Sequence, residues 1–197
     1  MTGKQVVFMY KQCRTEQSAL RQRELEQGLL QTMLKQQYEQ ISVTDLCQQM
    51  NIPRKAFYRY FDSKDGALYS LLDHAIMDFD RYSTADNLRQ IRDAKIYMEK
   101  VFHYWIQNKD LLDALSRSNL SGILVLRAVE YAKEMNSLPF FLANMDKHLR
   151  NYGTLFGVCG LMTIIVQWHH DGYVPSVEEM AEISIRLLSN PLFKPQE

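Results

Sequence analysis

The chain has 197 residues, 46% apolar and 23% charged, with only eight Gly and five Pro. That is enough for one fair-sized core or for a small module joined to a larger one, and too little turn chemistry for a sheet architecture. A formal net charge of zero argues against a polybasic nucleic-acid binder, but residues 1–64 carry ten Lys or Arg against six Asp or Glu, and residues 65–197 carry thirteen against seventeen.

At the N-terminus, the apolar stretch before Lys11 is too short for a secretory signal. Thr15 can cap a long helix running to about Gln40, whose Leu25, Leu29, Met33 and Leu34 recur at three-to-four spacing. The rhythm then changes. Ser42 precedes Asp45 by three residues, a capping arrangement that starts a short helix with Val43, Leu46, Cys47 and Met50 inward. Asn51 suits the left-handed conformation of a sharp turn, and Pro53 pre-sets the first turn of a new helix. Two short helices meeting at a tight corner are the signature of a helix-turn-helix, and equally of a plain helical corner.

The residues after the corner weigh toward the first reading. In a helix from Pro53, Phe57 and Phe61 share an inward face, while Lys55, Tyr58 and Arg59 project from the other side. The Tyr58 hydroxyl suits a phosphate oxygen better than an apolar interior. Asp62 or Ser63 can cap a fourth helix with Lys64 in its first turn; a cation there opposes the helix dipole, so a nearby phosphate would explain it.

The remainder carries no catalytic arrangement, and no enzyme is expected. His169 and His170 are adjacent, so on a helix their rings diverge by about 100° and do not chelate one metal with Asp171. His74, His103 and His148 are isolated from any nucleophile or carboxylate pattern. Cys13, Cys47 and Cys159 lack zinc or dithiol spacing, which fits reduced thiols of a cytoplasmic protein with no metal and no cofactor. Asn119, Leu120 and Ser121 spell a glycosylation acceptor without a secretory route to serve it. The apolar run Val158 to Val166 is about half the length that crosses a bilayer, so no membrane is expected.

Two further stretches are informative. "LFGVCGLMTIIVQWHHDG", residues 155–172, is apolar nearly all round, with Gly157 and Gly160 among Leu161, Ile164 and Trp168, and ends at Gly172 as a C-cap. Burial on all sides in so small a domain implicates a partner chain as well as the core. Ser176 and Glu179 then form a capping box before a helix with Val177, Met180, Ile183 and Leu187 along one seam. In "IYMEKVFHYWIQNKDLLDAL", residues 96–115, Tyr97, Tyr104 and Trp105 are either core or the lining of a ligand pocket.

Residues 41–72 resemble the DNA-binding domain of the TetR family of bacterial transcriptional regulators. The resemblance lies in Ser42, Thr44, Asp45 and Leu46, then Phe57, Tyr58, Tyr60, Phe61, Ser63, Lys64 and Asp65. It implies an all-α fold of about nine helices, with a DNA-binding domain over 1–64 and a regulatory, dimerising domain over 65–197. Ser42, Thr44, Arg54, Lys55, Tyr58, Tyr60 and Lys64 become the DNA-contacting candidates, with Arg54 reading a guanine edge and the others mainly positioning. Departures touch how DNA is held: Asn51 stands for the usual Gly, Pro53 for Ser or Thr, and Lys55-Ala56 for a Gly-Thr pair. The last two apolar helices resemble the family's dimer-forming pair, which places Gly157, Gly160, Leu161, Ile164, Trp168, Met180, Ile183 and Leu187 at a homodimer interface. The implied function is a repressor that leaves a palindromic operator in double-stranded DNA when a small apolar ligand binds between helices. Family likeness in "VPSVEEMAEISIRLL" extends to co-regulators that answer to a protein partner and have no small-molecule site.

Overall fold

The computed structural model describes residues 10–85, 93–134 and 146–189. Its described residues form nine α-helices and no strand: α1 (Glu16–Met33), α2 (Val43–Gln49), α3 (Arg54–Phe57), α4 (Lys64–Ala85), α5 (Ala94–Gln107), α6 (Lys109–Arg117), α7 (Ser121–Glu134), α8 (Lys147–His170) and α9 (Val177–Ser189). The all-α class that the resemblance implies is the class observed among the described residues. An isolated antiparallel bridge joins Tyr10 to Phe61. The chain divides into two compact units, Met1–Ala75 with Asp113–Leu120, and Ile76–Leu112 with Ser121–Glu197.

In the first unit, Thr15 caps α1 by accepting from the Ser18 amide at 3.2 Å, and Leu25, Leu29 and Met33 are fully buried. The same face buries Glu26, whose carboxylate takes the Ser70 hydroxyl at 2.6 Å and the His74 Nδ1 at 2.9 Å from α4. Periodicity alone does not announce this polar seam. A Cβ on Gly28 would meet the Met50 sulfur at 2.3 Å, so the missing side chain lets the end of α2 approach α1. The first helix stops at Met33, short of the expected Gln40, and Tyr38–Gln40 form a separate 3-10 turn. There Tyr38 donates its amide to Ser118 Oγ at 2.8 Å and its phenol to Asp65 Oδ1 at 2.5 Å. Ser118 thus satisfies an amide that continued helix would have bonded internally, while Asp65 anchors the ring end of the same residue.

Three helices end in the same two-bond cap. After α2, the Asn51 amide reaches the Gln48 carbonyl and the Ile52 amide the Cys47 carbonyl, with Asn51 at φ 53°. After α6, Asn119 (φ 53°) and Leu120 bond to Ser116 and Leu115; after α8, Gly172 (φ 69°) and Tyr173 bond to His169 and Trp168. This is the Schellman arrangement, in which a left-handed residue folds the chain back onto orphan carbonyls. Asn119 is therefore explained by its helix end.

In the second unit, Asp93 caps α5 through the Lys95 and Ile96 amides, α9 lies along α5, and α8 along α7. Tyr97, Met98, Val101, Phe102 and Trp105 form the buried face of α5. Trp168 packs edge-on against Phe102 at 5.2 Å and donates its indole N–H to the Pro175 carbonyl at 2.7 Å. Ser176 and Glu179 exchange the two bonds of the expected capping box at 3.0 and 3.3 Å. On length and composition alone, His148–His170 is one helix able to cross a membrane. Its Met162, Ile165 and Trp168 are buried within the unit, whereas Tyr152 and Phe156 are 73% and 69% exposed.

Candidate nucleic-acid interface

The corner between α2 and α3 is built from short-range chemistry. Ser42 Oγ accepts the Asp45 amide at 3.1 Å and donates to the Asp45 carboxylate at 2.6 Å, which fixes the start of α2. Leu46 and Cys47 turn inward, leaving Ser42, Thr44 and Asp45 in solvent. Asn51 reverses the chain, and Pro53, at φ −72° and ψ 143°, holds the cap position immediately before α3. Only Arg54–Phe57 are helical before the chain relaxes into turns over 58–60.

The rings divide as their spacing predicts. Phe57 and Phe61 are fully buried with centroids 5.1 Å apart, and Tyr58 stands edge-on to Phe57 while remaining 39% exposed. Arg54, Lys55 and Arg59 are exposed beside it. Arg54 Nη2 donates to the Tyr58 hydroxyl at 3.3 Å, and the guanidinium lies 5.7 Å from the ring centroid. This contact raises the Arg54 pKa further above its already high ordinary value. Because the Tyr58 oxygen accepts from Arg54, its own proton is left to donate outward.

Two candidates sit differently from the rest. Tyr60 is almost fully buried, its ring against Phe61. Lys64 Nζ donates to the Tyr38 carbonyl at 2.6 Å and the Ile41 carbonyl at 2.8 Å, over the Tyr38 ring at 4.1 Å. A cation in the first turn of α4 is thus explained by the carbonyls of the preceding 3-10 turn, without a phosphate. Lys11, by contrast, is a contact that no motif announced: its amide donates to the Tyr60 carbonyl at 2.9 Å and its ammonium to the Tyr58 carbonyl at 3.1 Å. Such pairings join residues nearly fifty positions apart, beyond any local spacing signal.

In the second unit, Tyr104 and Trp105 come together with Phe79 and Tyr82 in one ring cluster, Tyr104 lying 5.1 Å from each of the latter two. Tyr97 is buried on the same helix. Of the interface candidates, Trp168 and Met180 are buried inside the unit, Gly160, Ile183 and Leu187 are exposed, and Gly157, Leu161 and Ile164 are half-buried. Phe156 and Tyr152, one and two turns before Gly160, extend the exposed apolar strip; neither is among the interface candidates, and Tyr152 lies before the 155–172 stretch. No group of three or more His, Cys, Asp or Glu able to hold a metal is found among the described residues.

No protein-family profile matches the chain, and no curated protein matches its sequence. Among solved structures the chain is similar to the fatty acid degradation regulator FadR from Bacillus halodurans. The match has a TM-score of 0.54 and 12% identity, and covers 92% of this chain and 98% of that one. At that identity the likeness is one of fold alone, over nearly the whole length of both chains.

Proposed function

We propose that the chain is a DNA-binding transcriptional regulator of the TetR type, acting as a homodimer. The observation that carries this reading is the α2–α3 corner, where Thr44, Arg54, Lys55, Tyr58 and Arg59 stand in solvent above a buried Phe57–Phe61 pair. An exposed set of three cations and a phenol on a short helix and the turn that follows it suits the major groove: Arg54 reads a guanine edge, while Lys55, Tyr58 and Thr44 hold phosphates. Residues 1–64 contribute those contacts, and residues 65–197 regulate and dimerise. A twofold pair of such heads meets a palindromic operator with half-sites about 34 Å apart.

The sign of regulation proposed is repression, with release by a small apolar ligand taken up near the α5 rings. A ligand releases DNA only through a difference in affinity between the two states, a few kcal/mol for a useful switch. A second reading, control by a protein partner, draws on the exposed Tyr152–Phe156 strip and on the close ring packing of Tyr104 and Trp105. In-vitro selection from a random duplex pool tests the DNA-binding reading. An enriched inverted repeat supports it, and recovery of no duplex above background overturns it.

A further inference from the structure

Residues 10 and 11 fall outside every described helix, yet they bond directly to the turn that follows α3. Tyr10 pairs with Phe61 across the antiparallel bridge, and Lys11 donates its amide to Tyr60 and its ammonium to the Tyr58 carbonyl. The far side is anchored as well. Tyr10 is buried, donates its hydroxyl to Asp73 Oδ2 at 2.8 Å, and has its ring 6.1 Å from that of His74. Gln22 of α1 closes the segment by donating Nε2 to the Lys11 carbonyl at 3.1 Å.

This arrangement answers a weakness in the corner. Helix α3 is a single turn, too short to hold its own geometry, and the chain after Phe57 is turn rather than helix. The carbonyls of Tyr58 and Tyr60 have no continuing helix to accept from, and residue 11 supplies donors to both. The orientation of the Tyr58 side chain, and through its hydroxyl that of Arg54, then depends on a segment more than forty residues earlier.

We infer that Tyr10 and Lys11 are positioning residues for the DNA-contacting helix, fixing the Tyr58–Phe61 turn against α4 so that Arg54 and Tyr58 are presented in one orientation. Lys11 acts through the Tyr58 carbonyl and not as a phosphate ligand. The inference rests on the DNA-binding reading and deepens it.

The test uses the full chain and the duplex that the wild-type protein recovers from a random pool, with a scrambled duplex as control. Lys11→Met weakens binding about three- to tenfold, the worth of one such hydrogen bond, while the slope of log Kd against log salt stays at the wild-type value. Lys11→Arg restores the affinity. In a Tyr58→Phe background the Lys11→Met loss shrinks, because positioning a hydroxyl that is absent gains nothing. Tyr10→Phe acts in the same direction, with its unfolding midpoint recorded to separate loss of fold from loss of position. A slope that falls by about one unit makes Lys11 a direct phosphate ligand and overturns the inference. Full additivity with Tyr58→Phe, or wild-type affinity in Lys11→Met, overturns it too, while a wild-type chain that still binds leaves the DNA-binding reading standing. Failure of the wild type to recover any duplex sinks both.

Discussion

Arg54 and Tyr58 are one turn apart and share a hydrogen bond, so on the proposed DNA-binding reading their contributions to binding are coupled although their roles differ. Arg54→Ala is expected to relax preference at one base position by about 1–3 kcal/mol. Tyr58→Phe should weaken selected and scrambled duplexes nearly alike, a contrast that paired anisotropy titrations would expose; equal loss of specificity in both variants contradicts the division. Asn51 makes a second residue-scale prediction. Its positive φ is tolerated by Gly and penalised in β-branched residues, so Asn51→Gly should leave urea unfolding nearly unchanged while Asn51→Val costs about 1–2 kcal/mol or more. The Asn51 turn was legible in the sequence because so few residue types accept that conformation. Lys64 was not, because its carbonyl partners lie more than twenty residues earlier and no local rule places them beside it.

The helix ends were easier to read than the helix lengths. Thr15, Ser42 and Ser176 cap through partners three residues away, within the reach of pattern reasoning. The chain after the early stop of α1 is held instead by Ser118 and Asp65 meeting Tyr38, which is tertiary information. That contact has a pH signature. Burial, followed by the Asp65 hydrogen bond and charge, pushes the Tyr38 phenol well above its ordinary 10.0. A group raised in this way stabilises the fold fully below the unfolded pKa and loses its contribution as pH climbs beyond it. Stability should therefore fall above about pH 10, and Tyr38→Phe should flatten that alkaline limb in a denaturation series, at the cost of lower stability near neutrality. Within the corner, Phe57→Ala should cost about 3–5 kcal/mol, because a fully buried ring leaves a cavity beneath a one-turn helix.

For the whole molecule, the apolar α8 was legible as a helix with more greasy surface than one small domain can bury, and its inner face was not separable from its outer face by composition. The structure assigns Trp168 to the inside and Tyr152 and Phe156 to the outside. If the outer strip joins two copies, Phe156→Glu should shift the chain to monomer in sedimentation and weaken operator binding far more than binding to a half-site. A variant that stays dimeric would move the interface elsewhere. The central claim, that the α2–α3 corner grips duplex DNA in a twofold assembly, is tested most directly by anisotropy titration of the selected duplex across a salt series. A dimer that neutralises roughly 6–10 phosphates should lose about 10³- to 10⁵-fold in affinity between 50 and 200 mM salt. Affinity that stays flat across that range would contradict the account.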